Sequence, residues 1–164
     1  MNNFLLILFA IFSYSNLLAD PKPRVFVFTD INIDAGDPDD RQSLVHLLWY
    51  ADELEIEGIV PDRLDYGGYK ACEMVLEAYE ADFMRFDLEK EGYMPPHIIA
   101  DRVARSRADG KERFHEAASR EDSPLYVLIW GNMNSFRDGC PARKTHPLWK
   151  YPVNNHWHRI DAGE

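Results

Sequence analysis

The sequence of 164 residues predicts an α/β fold with a doubly wound, mostly parallel sheet. Three short apolar runs rich in β-branched and aromatic residues indicate strands that are buried on both faces, as in parallel sheets. Helical patterns separate these runs, and the alternation of strand and helix is typical of βαβ units. A chain of this length is expected to fold as one domain.

The first predicted strand covers residues 24–29 and leads into an acidic loop. A helix is predicted over residues 43–51, because its leucines and its last alanine recur at positions i, i+3, i+4 and i+7 and form one apolar stripe. Asp39 and Asp40 stand before this helix, at its expected start, where carboxylates interact favourably with the helix dipole.

A second strand is predicted over residues 55–60, and a helix over residues 69–81 follows it. Met74, Val75 and Ala78 are expected on the apolar side of that helix. Together with the first strand and helix, these two elements complete a strand-helix-strand-helix order.

Two consecutive prolines begin a third predicted helix, which extends to residue 104. The charged stretch 102–122 is interpreted as a solvated helix and loop, and residues 125–130 as the third buried strand. Ligands of doubly wound sheets bind beyond the carboxyl ends of the strands. The loops after Thr29 and Trp130 are therefore the expected functional positions.

Acidic residues outnumber basic ones by 28 to 18, and the formal net charge is −10. Nucleic acids and anionic lipids are recognised by clustered Lys and Arg, so neither is an expected partner. The two cysteines form no zinc pattern; Cys72 is expected to be a buried helix residue, and its pairing with Cys140 is left open. The oligomeric state is left open as well.

Residues 1–19 combine an unbroken apolar run with a polar stretch and a small final residue, which indicates a secretory signal peptide. The apolar run is shorter than the ~20 residues that span a bilayer, and no later run approaches that length. We therefore expect an exported protein, secreted or periplasmic, with no membrane span after signal removal. The mature domain is expected over residues 20–138.

Residues 139–164 differ in kind from the rest of the chain, with four basic residues against two acidic ones and no apolar period. The helix and strand that should follow residue 138 are not evident in this pattern. One interpretation is an irregular C-terminal extension with an aromatic patch that contacts sugar. The interpretation we favour is a frameshift near residues 137–140, which replaced the authentic continuation and truncated the domain.

Five aspartates fall within eleven positions after the first strand: Asp30, Asp34, Asp37, Asp39 and Asp40. Carboxylates so close together repel and raise one another's pKa unless a positive charge is held among them, and Arg41 is the basic residue nearby in the sequence. A hard divalent cation with oxygen ligands removes this conflict, and Ca²⁺ tolerates irregular loop geometry better than Mg²⁺.

Three other interpretations of the loop stay open. An EF-hand is suggested by Asp30, Asn32 and Asp34, but Ala35 and Arg41 replace its glycine and glutamate. An aspartate nucleophile for phosphoryl transfer fits the position after the first strand, yet no glycine-rich phosphate loop accompanies it. A solvated helix cap accounts for one or two of these acids and not for five.

Two segments resemble the secreted nucleoside hydrolase-like domain of the cellulose-binding-protein type, a branch of the calcium-dependent nucleoside hydrolase superfamily. The first contains the aspartates after the first strand, Ser-Leu-Val-His-Leu-Leu-Trp-Tyr-Ala at 43–51 and Glu-Ile-Glu-Gly-Ile at 55–59. The second is Trp-Gly-Asn-Met-Asn-Ser at 130–135, where the family usually has Trp-Gly-Gly-x-Asn-Thr. The resemblance covers residues 23–137 and implies a Rossmann-like strand order, truncated in this chain.

The resemblance also implies roles for single residues. Asp30 corresponds to the aspartate that ligates calcium and acts as general base on the attacking water. Asp40 corresponds to a calcium ligand, Asp39 to a residue that binds the metal shell or sugar hydroxyls, and the main-chain carbonyl of Trp130 to a further calcium ligand. Asn134 is then a substrate-facing amide.

Two further aspartates, Asp34 and Asp37, have no sure counterpart in the family and are candidate extra ligands. The family chemistry is hydrolysis of an N-glycosidic bond, so a nucleoside or a related ribosyl or glycosyl compound is the expected substrate. The family's last calcium aspartate and a substrate histidine lie beyond the matching half, so this chain alone is not expected to complete the site. The alternative function is a non-catalytic module that binds cellulose or another plant polysaccharide.

Overall fold

The computed structural model describes residues 21–33, 38–131 and 136–137, and the backbone of residues 153–155. Strands and helices alternate along this part of the chain. The strands are β1 (Arg24–Thr29), β2 (Glu55–Pro61), β3 (Leu125–Trp130) and β4 (Val153–Asn155). The helices are α1 (Asp39–Leu48), α2 (Gly68–Phe86), α3 (Pro96–Asp101) and α4 (Arg107–Ser119), with a 3₁₀ turn at Leu64–Tyr66.

The four strands form one parallel sheet in the order β2-β1-β3-β4. All six residues of β1 are buried, because this strand has a neighbour on each side and helices on both faces. Its last residue, Thr29, pairs with Pro61 of β2 and with Trp130 of β3, so the carboxyl ends of three strands meet at one edge. The chain order reverses between β1 and β3, which makes this the topological switch point of the sheet.

Each face of the sheet has its own hydrophobic core. Helices α1, α2 and α3 pack over one face, where residues such as Leu44 and Ile99 meet the alternate residues of β1 and β2. Helix α4 covers the other face, where the ring of Phe114 lies 5.1 Å from that of Phe26 and 5.3 Å from that of Phe28. Helices on both faces of a parallel sheet confirm the predicted α/β, doubly wound class.

The ends of the first helix and the second differ from the sequence prediction. Helix α1 begins at Asp39, four residues before the predicted start, so that Asp39 and Asp40 form its first turn. Helix α2 extends to Phe86, and Met74 and Ala78 are exposed on it, which corrects their predicted place in the core. The side of α2 that packs against the sheet instead carries residues at intervals of three and four: Cys72, Val75, Leu76, Tyr79 and Phe83.

The charged stretch before β3 contains a core helix and not only a solvated one. Phe114, Ala117 and Ala118 of α4 are buried against the sheet, although most of the other residues of the helix are polar. Three apolar side chains at positions i, i+3 and i+4 are enough to fix one face of a helix. Strand β3 also departs from the prediction, since it alternates buried and half-buried residues along its length.

The C-terminal tail contains a strand that its sequence pattern does not predict. Val153 pairs with Val127 and Asn155 with Ile129, which places β4 beside β3 as a parallel edge strand. Parallel pairing uses backbone groups, so three residues can join a sheet without an apolar period. The other residues of the tail and the signal peptide predicted over residues 1–19 lie outside the described part of the chain.

At the amino end of the sheet, Arg24 is almost completely buried. Its Nε lies 2.5 Å from Oε1 of Glu57, and its Nη2 donates to the carbonyl of Ala117 at 2.6 Å. Its Nη1 donates to the carbonyl of Ser123 at 3.0 Å. One guanidinium thus joins β1, β2 and α4, and each of its three nitrogens donates to an acceptor.

Within the described residues, no helix is long and apolar enough to cross a membrane.

Candidate functional site

The carboxyl ends of β1, β2 and β3 are joined by hydrogen bonds just beyond the sheet. The Asp30 amide donates to the carbonyl of Trp130 at 3.2 Å, and the Asp62 amide donates to the carbonyl of Thr29 at 2.7 Å. The residue after β1 is therefore held between the ends of its two neighbours. The sequence pattern indicates Asp30 and Trp130 but not Asp62, a buried acid that follows β2 directly.

The side chain of Asp30 lies against the backbone of Gly131. Gly131 has a φ of +78°, and a Cβ built on it would stand 2.6 Å from Cγ of Asp30 and nearer still to Oδ1. Any side chain at residue 131 would thus collide with the carboxylate as well as strain the backbone. The glycine lets the carboxylate occupy this space, where 22% of the Asp30 side chain stays exposed.

Asp40 brings a second carboxyl to the same place from the first turn of α1. Burial, a hydrogen bond to the Asp30 side chain and the negative charge of Asp30 raise the pKa of Asp40 from 3.8 to about 7. A hydrogen bond with the side chain of Thr29 opposes the rise. Asp30 and Asp40, ten residues apart on either side of the loop, are therefore direct neighbours.

Asp39, the other aspartate of this turn, is exposed. Its Oδ1 accepts a hydrogen bond from the Asp40 amide at 2.9 Å, so it satisfies one of the free amides at the helix start. Its negative charge also contributes to the raised pKa of Asp40. The structure thus places Asp39 beside the pair and toward solvent, and its predicted contact with the metal shell or sugar remains a prediction.

A positive charge reaches Asp30 from Arg63, which follows β2 and precedes the 3₁₀ turn. Nη2 of Arg63 lies 3.3 Å from Oδ2 of Asp30, and the Arg63 carbonyl accepts hydrogen bonds from the amides of Tyr66 and Gly68. Proximity in the sequence indicates Arg41 as the nearby base and not Arg63. The signal that could have identified it is position, because residues that follow parallel strands meet at one edge of the sheet.

The oxygen donors at this edge are of the kind that calcium binds. The carboxylates of Asp30 and Asp40 are in contact, and the Trp130 carbonyl keeps one lone pair besides the one that accepts the Asp30 amide. In the part of the chain that the structure describes, no group of three or more His, Cys, Asp or Glu side chains could hold a metal. The donor chemistry fits calcium, and the count falls short of the ~6–8 oxygens it takes.

Three other predicted site residues have no described position. Asp34 and Asp37, the candidate extra ligands, lie outside the described residues, and so does the predicted substrate amide of Asn134. Their roles stay predictions.

The described residues also contain a groove of about 280 Å³ between α2 and α3. Leu76 and Val103 form its apolar floor, and Glu73, Glu77 and Glu80 lie along one side. Lys70 forms ion pairs with two of these glutamates. The groove lacks the converging strand ends, so the chemistry favours the Asp30 edge as the functional site.

Comparison with known protein families matches the middle of the chain and leaves out residues 1–23 and 140–164. The family whose model matches is described as "Cellulose-binding Sde182, nucleoside hydrolase-like domain", and the match covers residues 24–139. This segment contains the three long strands, all four helices and both loops of the candidate site. No curated protein and no solved structure matches the chain.

Proposed function

Because the chain belongs to the nucleoside hydrolase-like domain family of cellulose-binding proteins, we propose that its Asp30 edge hydrolyses an N-glycosyl bond of a ribosyl or related glycosyl compound, with calcium as cofactor. The observation that carries the proposal is the contact between the carboxyls of Asp30 and Asp40 at the switch point of the sheet. Ligands bind at such a position in doubly wound folds. The resemblance of these two aspartates to the family's ligands supplies the choice of metal.

Asp30 is the proposed general base. Its backbone amide is held by the Trp130 carbonyl of β3, and its carboxylate stays partly exposed, so the carboxylate can accept a proton from a water molecule that attacks the anomeric carbon. Asp30, Asp40 and the Trp130 carbonyl would hold the calcium. When bound, calcium would orient a water molecule and lower the pKa of that water.

Calcium binding and turnover are tested separately. Titration calorimetry of the protein with calcium chloride should show binding that Asp30→Asn abolishes, while Asp82→Asn, an exposed aspartate on α2, leaves it intact. Release of free base from a nucleoside, measured in a form that also supplies the family's last calcium aspartate and substrate histidine, should require calcium and should fail in Asp30→Asn. Equal calcium affinity in the wild-type and Asp30→Asn proteins would overturn the metal assignment.

A second candidate function is carbohydrate binding without catalysis. The description of the family as cellulose-binding favours it, as do two exposed aromatic side chains, Trp49 and Tyr50, just beyond the end of α1. The test is sedimentation with insoluble cellulose. Binding of wild-type and Asp30→Asn protein to the same extent, with no release of base by either, would favour this function over hydrolysis.

Export is part of the proposal, and the apolar run within residues 1–19 supports it. A cleaved signal peptide would leave a mature protein that begins at Asp20. N-terminal sequencing of protein recovered from the culture medium or the periplasm tests this directly. Recovery of unprocessed chain from the cytoplasm alone would contradict it.

A further inference from the structure

Two consecutive aromatic side chains are exposed just beyond the end of α1. Trp49 is 62% exposed and Tyr50 is 59% exposed, although both follow a helix that buries its leucines. Large apolar side chains exposed as neighbours are uncommon on soluble proteins and mark surfaces that bind something. Packing in the hydrophobic core does not account for Trp49 and Tyr50, because most of each side chain faces solvent.

The backbone beneath these two rings is fixed. The amides of Trp49 and Tyr50 donate to the carbonyls of Val45 and Leu47, and the Tyr50 carbonyl accepts from Glu53 and Leu54. The Tyr93 hydroxyl donates to the Trp49 carbonyl at 3.3 Å. A surface that is ordered before its ligand arrives loses less conformational entropy on binding.

The indole ring is also supported by a neighbour on its own helix. The imidazole ring of His46 lies with its centroid 4.9 Å from that of Trp49, at an interplanar angle of 52°. This contact reduces the number of rotamers open to the indole. Trp49 therefore offers a flat, oriented, apolar ring to solvent.

The aromatic pair lies at the opposite end of α1 from the carboxylates. Asp40 is in the first turn of α1, and the ten residues of this helix extend about 15 Å. Tyr50 is therefore close to the amino edge of the sheet, where β1 and β2 begin. A ligand on Trp49 and Tyr50 would leave the Asp30 edge open.

We propose that Trp49 and Tyr50 form a docking surface for a neutral β-glucan chain, whose pyranose rings stack on the two aromatic rings. The proposal rests on the cellulose-binding part of the proposed function. Sugar rings present flat C–H faces, and aromatic rings with a polar group at one end suit a ligand that is apolar on its faces and hydroxylated at its edges. The net charge of −10 disfavours acidic polysaccharides and is indifferent to a neutral glucan.

The test is sedimentation of the full chain with microcrystalline cellulose. We expect Trp49→Ala/Tyr50→Ala to weaken partition onto cellulose about tenfold, since two stacking contacts are lost. Trp49→Phe/Tyr50→Ala should bind cellulose better than the double alanine variant, because phenylalanine keeps a flat ring at residue 49. Both residues are exposed, so the thermal unfolding temperature should stay within about 2 °C of the wild type.

The matched control is Tyr66→Ala, because Tyr66 is 58% exposed and belongs to the 3₁₀ turn next to Arg63 at the carboxyl edge. It should bind cellulose as the wild type does. The proposal is overturned if the double variant binds cellulose normally, if the wild type does not bind, or if Tyr66→Ala alone loses binding. A dimer that the double variant abolishes, with cellulose binding unchanged, would assign the surface to a second copy.

The outcome is independent of the metal site. Calcium titration of Trp49→Ala/Tyr50→Ala should match the wild type, because the substituted rings lie at the far end of α1. If Trp49 and Tyr50 do not bind glucan, the hydrolase proposal is still decided by calcium titration and base release. If calcium does not bind, the glucan surface is still decided by the sedimentation assay.

Discussion

The carboxylate of Asp30 occupies the space that a side chain at residue 131 would fill. Asp30 follows β1 and Gly131 follows β3, and the two strands pair in a register without a shift over six residues. The identity of one residue therefore limits the identity of the other, although they are 101 positions apart. This dependence gives the most direct test of the site.

Gly131→Ala should displace the Asp30 carboxylate and abolish calcium binding. The added methyl group enters the position of Asp30 Oδ1, so we also expect a loss of about 1–3 kcal/mol in the free energy of unfolding. Gly92→Ala is the control, because Gly92 has a φ of +82° and nothing within 4 Å of its added Cβ. Urea unfolding and calorimetry measure both effects. Equal losses in the two variants would mean that backbone strain, and not the carboxylate, is responsible.

Asp40→Asn should stabilise the calcium-free protein. In the folded state the pKa of Asp40 is about 7, above the ordinary 3.8, so ionisation of this carboxyl at pH 8 destabilises the folded protein. The side-chain amide of asparagine does not ionise and causes no such loss. We expect a gain of about 1–2 kcal/mol in EDTA at pH 8, less than the shift alone implies because the carboxyl is partly exposed.

The sign of the pH dependence provides the check on Asp40. The stability cost is absent below about pH 3, grows as pH rises through 3.8, and is complete above pH 7. The advantage of Asp40→Asn should therefore vanish at about pH 3. At pH 8, calcium should no longer stabilise this variant. A variant that is less stable than the wild type at pH 8 in EDTA would contradict the prediction.

Arg24→Met should destabilise the fold by about 3 kcal/mol, because it leaves buried carbonyls and the Glu57 carboxylate without this donor. The loss is near the lower end for a buried ion pair, since Arg120 also contacts Glu57 at 2.5 Å. Arg113→Met removes a more exposed ion pair within α4 and should cost below about 1 kcal/mol. Chemical denaturation of both variants measures the difference, and similar losses would refute a special role for Arg24.

Cys72 should be inert to alkylation in the native protein. Burial, with the negative charges of Asp40 and Glu73, raises the pKa of the Cys72 thiol to about 12. At pH 8 the thiolate fraction is then about a thousandfold lower than for an unperturbed thiol. Iodoacetamide labelling in a Cys140→Ser background measures this rate. Rapid labelling without denaturant would show that α2 opens, and labelling in urea confirms that the thiol is present.

The sequence predicted those parts of the fold that depend on local pattern. The strands at 24–29 and 125–130 were located at their observed bounds, because a continuous β-branched and aromatic run has few other stable solutions. The exposed side of α2 was assigned incorrectly. Met74 and Ala78 are apolar but exposed, so α2 carries apolar residues on more than one side and could face the core in more than one orientation about its axis. Only the position of the sheet decides which rotation is used.

For the site, the sequence identified residues that lie near one another in the chain and missed those that topology brings in. Asp30 and Asp40 were chosen as one cluster, and their carboxyls are in contact. Arg63 and Asp62 were missed because they follow β2, and their approach to Asp30 and Thr29 depends on the pairing of β1 with β2. Spacing along the chain carries no information about that approach.

The unshifted register of β1 against β3 makes the chemistry of the edge inseparable from the stability of the core. A slip of one residue would turn Phe26 and Phe28 away from Phe114, and it would also place a residue other than Gly131 beside the Asp30 carboxylate. Selection for a well-packed aromatic core therefore also preserves the alignment of the Asp30 carboxylate. Sequence changes at this site should be tolerated first in the loops, because the position of Asp30 cannot change without disrupting the sheet.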